Sequence, residues 1–170
     1  GTMSVGKTTL VNALKELEQF KDYNFATERS QHLMSLGIPL NTDSTLKGQT
    51  VFLAERCGEL MHDNIITDRT ILDVMAFTMN AKSIPYQDKE SFEQYASEFV
   101  REYDYIFYIS PHGLEIEDNG VRETDEHYRD LIDFTITTLI KRHGHKAGAI
   151  EKISGSTEER IQQILNVTKL

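Results

Sequence analysis

Gly1-Thr2-Met3-Ser4-Val5-Gly6-Lys7-Thr8 fits the pattern G-x-x-x-x-G-K-[ST] at every specified position. In such a loop the glycines let the backbone curl so that successive amide N–H groups face a chain of phosphates, the lysine brings a point charge to them, and the Ser/Thr hydroxyl is offered to Mg²⁺. The candidate phosphate-binding positions are therefore Gly1, Ser4, Val5, Gly6, Lys7, Thr8 and Thr9, with Thr8 as a metal ligand. Leu10, Ala13, Leu14 and Leu17 follow at helical spacing, so the loop opens a helix whose positive N-terminal end faces the same phosphates. A loop of this kind is normally fed by a buried strand in mid-sheet. The reading expects roughly five to eight apolar, β-branched residues ahead of Gly1.

The 170 residues suit one domain with a core large enough to fold without staples. A hydrophobic share of 39% and a charged share of 26% fall in the ordinary soluble range. Cys57 is the lone cysteine and cannot form an internal disulfide, which favours a reducing, cytoplasmic setting. No apolar run approaches membrane-spanning length. The net charge of −9 disfavours broad nucleic-acid binding, which depends on neutralising many phosphates with Lys and Arg. A small phosphorylated ligand needs only a local basic cluster. Nothing in the sequence excludes a homodimer.

Beyond the first helix the chain reads as an alternation of strands and helices. Strands are expected over Tyr23 to Thr27, Asn64 to Asp68, Tyr105 to Ser110 and Ala147 to Ile153. Helices are expected over Ser30 to Leu36, Thr45 to His62, Ile71 to Lys82, Lys89 to Glu102, Thr124 to His143 and Thr157 to Val167, from apolar spacing and the Ser, Thr, Asp, Gly and Pro residues at their ends. Alternation headed by a phosphate loop predicts an α/β fold of three layers, with a mostly parallel sheet covered by helices on both faces. Ligands then lie beyond the carboxyl ends of the strands.

That edge rule selects the remaining candidates. Asp68-Arg69 ends an apolar strand; an acid there can hold Mg²⁺ or accept a proton, and an arginine can grip a phosphate bidentately. Glu28-Arg29 closes the preceding strand, where a carboxylate can take the proton of an attacking hydroxyl. Arg122 sits in a charged, irregular stretch and Arg129 follows on the next helix. The segment near 112–129 thus reads as a lid whose arginines face developing phosphate charge. Ser154-Gly155-Ser156 reaches the same edge from the last strand, and Arg160 lies one turn into the last helix. Gly155 could line a nucleotide base and Arg160 stack on it, although a solvated helix face also explains Arg160. None of the six histidines pairs with another ligand at a structural-zinc spacing, and Lys141 to Lys146 reads as a basic helix end.

Taken together, the phosphate loop, Glu28-Arg29, Gln49, Asp68-Arg69, the strand Tyr103 to Tyr108, Asp118 to Arg122 and Gly155 to Arg160 resemble the small P-loop kinases related to bacterial nicotinamide-riboside kinase domains. Asp68-Arg69-Thr70 with Asp73 and Ala76-Phe77 also resembles the Asp-Arg motif of thymidylate and deoxynucleoside kinases. The resemblance implies ATP, Mg²⁺ and transfer of the γ-phosphoryl group to a small nucleoside or nucleotide acceptor. Lys7 and Thr8 would hold triphosphate and metal, Glu28 or Asp68 would handle the acceptor, and Arg69 and Arg122 would contact phosphate, with Arg29 and Arg129 on the acceptor side. Thr70 stands where the thymidylate enzymes carry an aromatic residue or His, and Asn119 adds one residue to the riboside-kinase pattern Asp-Gly-Val-Arg. Two other readings compete: a kinase acting on a hydroxyl of DNA or RNA, and a non-kinase ATPase switch or motor. Asn80-Ala81-Lys82-Ser83 lacks the Asn-Lys-x-Asp pattern of a guanine-specific switch, and Asp68-Arg69 is not the acid pair expected of a motor.

Overall fold

The computed structural model describes residues 1–27, 29–112 and 126–170. Along the chain run α1 (Lys7–Lys15), β1 (Asn24–Ala26), α2 (Ser30–Ser35), α3 (Leu46–Glu59), β2 (Ile65–Thr67), α4 (Ile71–Asn80), α5 (Tyr86–Ala96), β3 (Tyr105–Ile109), α6 (Glu126–His143), β4 (Ala149–Ile153) and α7 (Thr157–Thr168). Glu28, Arg122 and residues 113 to 125, most of the segment expected to form a lid, lie outside the described residues.

The layers follow from the two-residue period of β3. Ile106 and Tyr108 enter an apolar cluster with Leu72, Met75, Ile132 and Ile136, whereas Phe107 and Ile109 pack with Leu10, Leu14, Ile153 and Ile164. Alternate side chains of a strand point to opposite faces, so α4 and α6 cover one face and α1 and α7 the other. Helix α4 is apolar nearly all round: Ile71, Leu72, Val74, Met75 and Ala76 are buried. Such a helix has to be enclosed, and α3, α5 and α6 enclose it.

Every pairing among the described strands is parallel. β1 pairs with β2 from Asn24↔Ile65 to Ala26↔Thr67, and β3 pairs with β4 from Tyr105↔Ala149 to Ile109↔Ile153. These make two two-stranded sheets in place of the single sheet expected, because β2 and β3 face each other across a cavity instead of bonding directly.

One helix begins and ends earlier than its spacing predicts. Helix α5 starts at Tyr86, with Pro85 at its N-cap, and gives way to a 3₁₀ segment over Ser97–Glu102. Proline has no amide to donate and a φ suited to a helix start, so it marks the boundary more strongly than the apolar period does. The basic end of α6 then ties α5 in place. Arg142 and His143 reach Glu93 at 3.1 and 2.8 Å, and Lys146 donates to Ser97 Oγ and Glu98 Oε1, both at 2.9 Å. Burial alone would raise the Glu93 carboxyl, but His143 and Arg142 hold it below the ordinary range.

Candidate functional site

The phosphate loop is anchored by alternate side chains. Met3 and Val5 are buried, Met3 in the cluster around α4 and Val5 in the cluster beneath α1 and α7. Ser4 and Gly6 both adopt positive φ, 57° and 78°, which curls the backbone between these anchors. Gly1 is required for a different reason: a Cβ there would stand 2.5 Å from the Ile109 carbonyl oxygen at the end of β3. Lys7 donates its ammonium to the Thr2 carbonyl oxygen, closing the loop on itself. Val5 was expected to meet phosphate, yet its side chain belongs to the core. Only its amide remains for a ligand, because its carbonyl oxygen accepts from Arg160.

That contact corrects the reading of Arg160 as part of a solvated helix face. Arg160 is 7% exposed, and its Nη1 donates to the Val5 carbonyl oxygen at 2.7 Å. The guanidinium of α7 therefore clamps the loop from behind. Gly155 precedes it in the turn after β4 with φ 94°, a left-handed conformation that favours glycine. The helix start beyond it is fixed by Ser156 and Glu159, whose amides and side chains bond reciprocally at 2.7 and 3.2 Å in a capping box.

Asp68 arrives at the carboxyl end of β2, where its amide donates to the Ala26 carbonyl oxygen at 2.8 Å. The Thr8 hydroxyl donates to Asp68 Oδ2 at 2.5 Å, so the two expected metal-binding residues meet. Asp68 is buried, and its Oδ1 has no hydrogen-bond partner among the described residues. An unpaired buried carboxylate oxygen is costly, and one beside a loop hydroxyl fits a hard cation that prefers oxygen ligands. The sequence reading missed what steadies this acid: Arg56 of α3 is buried and donates to the Asp68 carbonyl oxygen at 3.1 Å. Its signal was a charge at helical spacing between Leu53 and Leu60, on an otherwise apolar face.

Arg69, the next residue, has φ 83°, a conformation that costs a side-chain-bearing residue energy and concentrates at working sites. Its guanidinium lies over the Phe77 ring, 5.2 Å from the centroid, and reaches Asp73 Oδ1 at 3.9 Å. Asp73 also accepts from the Thr70 amide and hydroxyl at 2.8 and 3.0 Å. Burial would raise the Asp73 carboxyl, but the Gly1 ammonium at 3.5 Å, Arg69, Lys7 and the Thr70 amide together bring it down to about 2. Arg69 and Asp73 also line a cavity of about 60 Å³ with Gln49, Phe52 and Phe77. Gln49 is 3% exposed.

The structure thus brings Thr8, Asp68 and Arg69 to one edge, with Lys7 in the adjoining loop. Arg29 is set apart by its own ion pair, 3.3 Å to Glu55, with its side chain about half exposed. Arg129 is buried near the start of α6.

A glycine-rich loop heading a helix at the carboxyl edge of parallel strands, within three layers, defines a P-loop α/β domain. The family model described as "AAA domain" matches residues 1–160, and the chain belongs to that family. No curated protein matches the sequence. Among solved structures, deoxyadenosine kinase from M. mycoides with the products dCMP and a flexible dCDP bound is similar at a TM-score of 0.68 and 17% identity, covering 99% of this chain and 95% of that one. The same enzyme with bound dCTP gives 0.67 and 18%, over 99% and 96%. The chain shares their fold. No helix among the described residues is long and apolar enough to cross a membrane.

Proposed function

We propose that this protein is an ATP-dependent kinase that transfers a phosphoryl group to a small nucleoside or nucleotide, with deoxynucleosides the leading acceptor class. One observation carries the reading. Asp68 and Arg69 are consecutive, yet Asp68 is bonded to Thr8 of the phosphate loop while Arg69 lies over Phe77 in the neighbouring cavity. A two-residue segment therefore joins a triphosphate site to a second compartment, as transfer between two substrates requires and hydrolysis alone does not. The shared fold with an enzyme holding dCMP and dCDP supports the acceptor class.

In this reading the loop amides, Lys7 and the N-terminal end of α1 bind the triphosphate, since amides and helix ends attract anions without reorganising. Thr8 and Asp68 would hold Mg²⁺, which when bound neutralises charge on the phosphate oxygens. Because Asp68 Oδ2 is engaged by Thr8, the acceptor hydroxyl proton falls to Glu28, two residues beyond β1 in sequence. The Phe52 and Phe77 rings and the Gln49 amide receive the acceptor base: aromatic faces supply apolar contact and the amide supplies a donor and an acceptor. Arg69, and Arg122 from the lid segment, meet phosphate charge.

The test is ADP production with each member of a panel of deoxynucleosides, ribonucleosides and their monophosphates. Turnover should be slow with ATP alone and rise at least about tenfold with one acceptor. Equal turnover with and without every acceptor would refute a kinase and favour an ATPase switch.

A further inference from the structure

Residues 68–71 join β2 to α4 through a backbone that local preference opposes. Arg69 holds φ 83°, a left-handed value that an L residue with a long side chain disfavours and keeps only where its surroundings over-determine it. Those surroundings are side chains drawn from several elements. Arg56 of α3 donates from Nη1 to the Asp68 carbonyl oxygen at 3.1 Å, and its Nη2 is fixed by Glu59 Oε1 at 2.7 Å. The Thr67 hydroxyl, at the end of β2, donates to the Arg69 carbonyl oxygen at 2.8 Å. Asp73 of α4 accepts from the Thr70 amide at 2.8 Å. The Ile71 amide donates to the Tyr103 hydroxyl at 3.2 Å. Ile71 opens α4, where an amide has no partner within its own helix, so the tyrosine supplies one. Tyr103 is buried ahead of β3, and its carbonyl oxygen accepts from the Gly148 amide at 2.9 Å. Burial pushes its phenol up from the ordinary value, so the hydroxyl stays neutral across the working pH range. Among the described strands β2 and β3 do not bond directly. The Tyr103 hydroxyl is therefore a link from the β3-β4 pair to the turn that follows β2.

We propose that Tyr103 and Arg56 are positioning residues. By holding the Ile71 amide and the Asp68 carbonyl oxygen they keep Arg69 left-handed, and so keep Asp68 turned to Thr8 while Arg69 faces the cavity beside Phe77. The two side chains hang from adjacent residues, so rotation about the Arg69 φ swings one relative to the other. Asp68 is tied independently, by its amide to the Ala26 carbonyl oxygen at 2.8 Å and by its carboxylate to Thr8. Relaxation of the turn to negative φ therefore displaces Arg69. Both residues act at a distance, since neither lines the cavity beside Arg69. The phosphate loop has anchors of its own in Met3, Val5 and Arg160. A misplaced Arg69 thus costs rate, through lost orientation of the reacting groups, and leaves ATP binding alone. That consequence for transfer rests on the kinase reading; the hold on the turn does not.

Tyr103→Phe deletes only the hydroxyl. Tyr108→Phe is its control, because it deletes a hydroxyl on an equally buried residue that donates to Asp133 Oδ1 of α6 at 2.7 Å and not to the turn. Amide hydrogen exchange of Asp68 and Thr70 is read by NMR without ligand, since their own bonds, to Ala26 and Asp73, are untouched by either substitution. Tyr103→Phe should speed both amides about tenfold or more relative to Tyr108→Phe. With the best acceptor, it should lower kcat about tenfold while the KM for ATP stays within about twofold. Tyr108→Phe should keep kcat at a similar loss of thermal midpoint. Arg56→Met should behave as Tyr103→Phe does, and Arg56→Lys, which keeps a donor for the Asp68 carbonyl oxygen, should recover part of kcat. Where the Arg56 variants do not fold, the tyrosine pair decides. Equal exchange in the two tyrosine variants overturns the proposal, and so does faster exchange with kcat unchanged. Turnover of the unsubstituted chain that is indifferent to every acceptor refutes the kinase reading instead. Exchange alone then decides the hold on the turn, faster exchange supporting it and equal exchange overturning it.

Discussion

Replacing Arg160 by Met separates two accounts of the residue that sequence alone left open. Met keeps the length and apolar stem but removes the guanidinium that donates to the Val5 carbonyl oxygen at 2.7 Å. That oxygen loses its buried donor, at a cost of about 1–3 kcal/mol for an acceptor left unpaired. For a chain of this size about 2 kcal/mol lowers the thermal midpoint by roughly 4–8 °C. The loop that Arg160 clamps carries the phosphate amides. Diverting about 1.4 kcal/mol of that loss into loop order weakens triphosphate binding about tenfold. The assay pairs thermal unfolding with titrations of ATP, GTP and inorganic tripolyphosphate. A clamp predicts loss of stability and equal weakening of all three ligands. An unchanged midpoint, with ATP and GTP weakened and tripolyphosphate unaffected, would refute it and restore base stacking.

Three further outcomes are expected. Asp68→Asn keeps the volume but loses the charge beside Thr8; it should leave the fold intact, lower kcat by about a hundredfold or more and raise the Mg²⁺ needed for half-maximal turnover, as steady-state kinetics across Mg²⁺ concentrations will read. Asp73 sits at about 2 instead of an ordinary 3.8. It contributes stability that is fully present above about pH 4 and disappears as pH falls through about 2, worth about 2 kcal/mol. Denaturant midpoints between pH 6 and 2 should fall less steeply for Asp73→Asn. Gln49→Leu should raise the acceptor KM about tenfold or more, because a buried base edge would lose its partner, while the KM for ATP stays within about twofold.

The elements were legible where local chemistry and tertiary packing agree. The loop motif and the spacing of Leu10 and Leu14 are local signals, and each marks what is found. So does the alternation of Ile106 to Ile109, whose two faces pack into two clusters. Arg160 was not legible as a clamp because its partner, Val5, lies 155 positions away; a helix pattern cannot show which loop will close on it. Arg56 and Arg129 were obscured in the same way. An arginine among acids reads as a solvated ion pair, and only packing shows that both side chains are buried. The cavity beside Arg69 draws Gln49 and Phe52 from α3 and Phe77 from α4, a convergence set by how two helices cross rather than by any spacing along one of them. Glu28 and Arg122 keep the roles that sequence and resemblance suggest, as proposals.

The central claim is transfer rather than hydrolysis, and the fate of the γ-phosphoryl group decides it. With γ-labelled ATP, Mg²⁺ and a deoxynucleoside acceptor, the label should move to an organic monophosphate in step with ADP formation, and Lys7→Ala should reduce that transfer by orders of magnitude. Label released only as inorganic phosphate, at a rate indifferent to acceptor, would contradict the account.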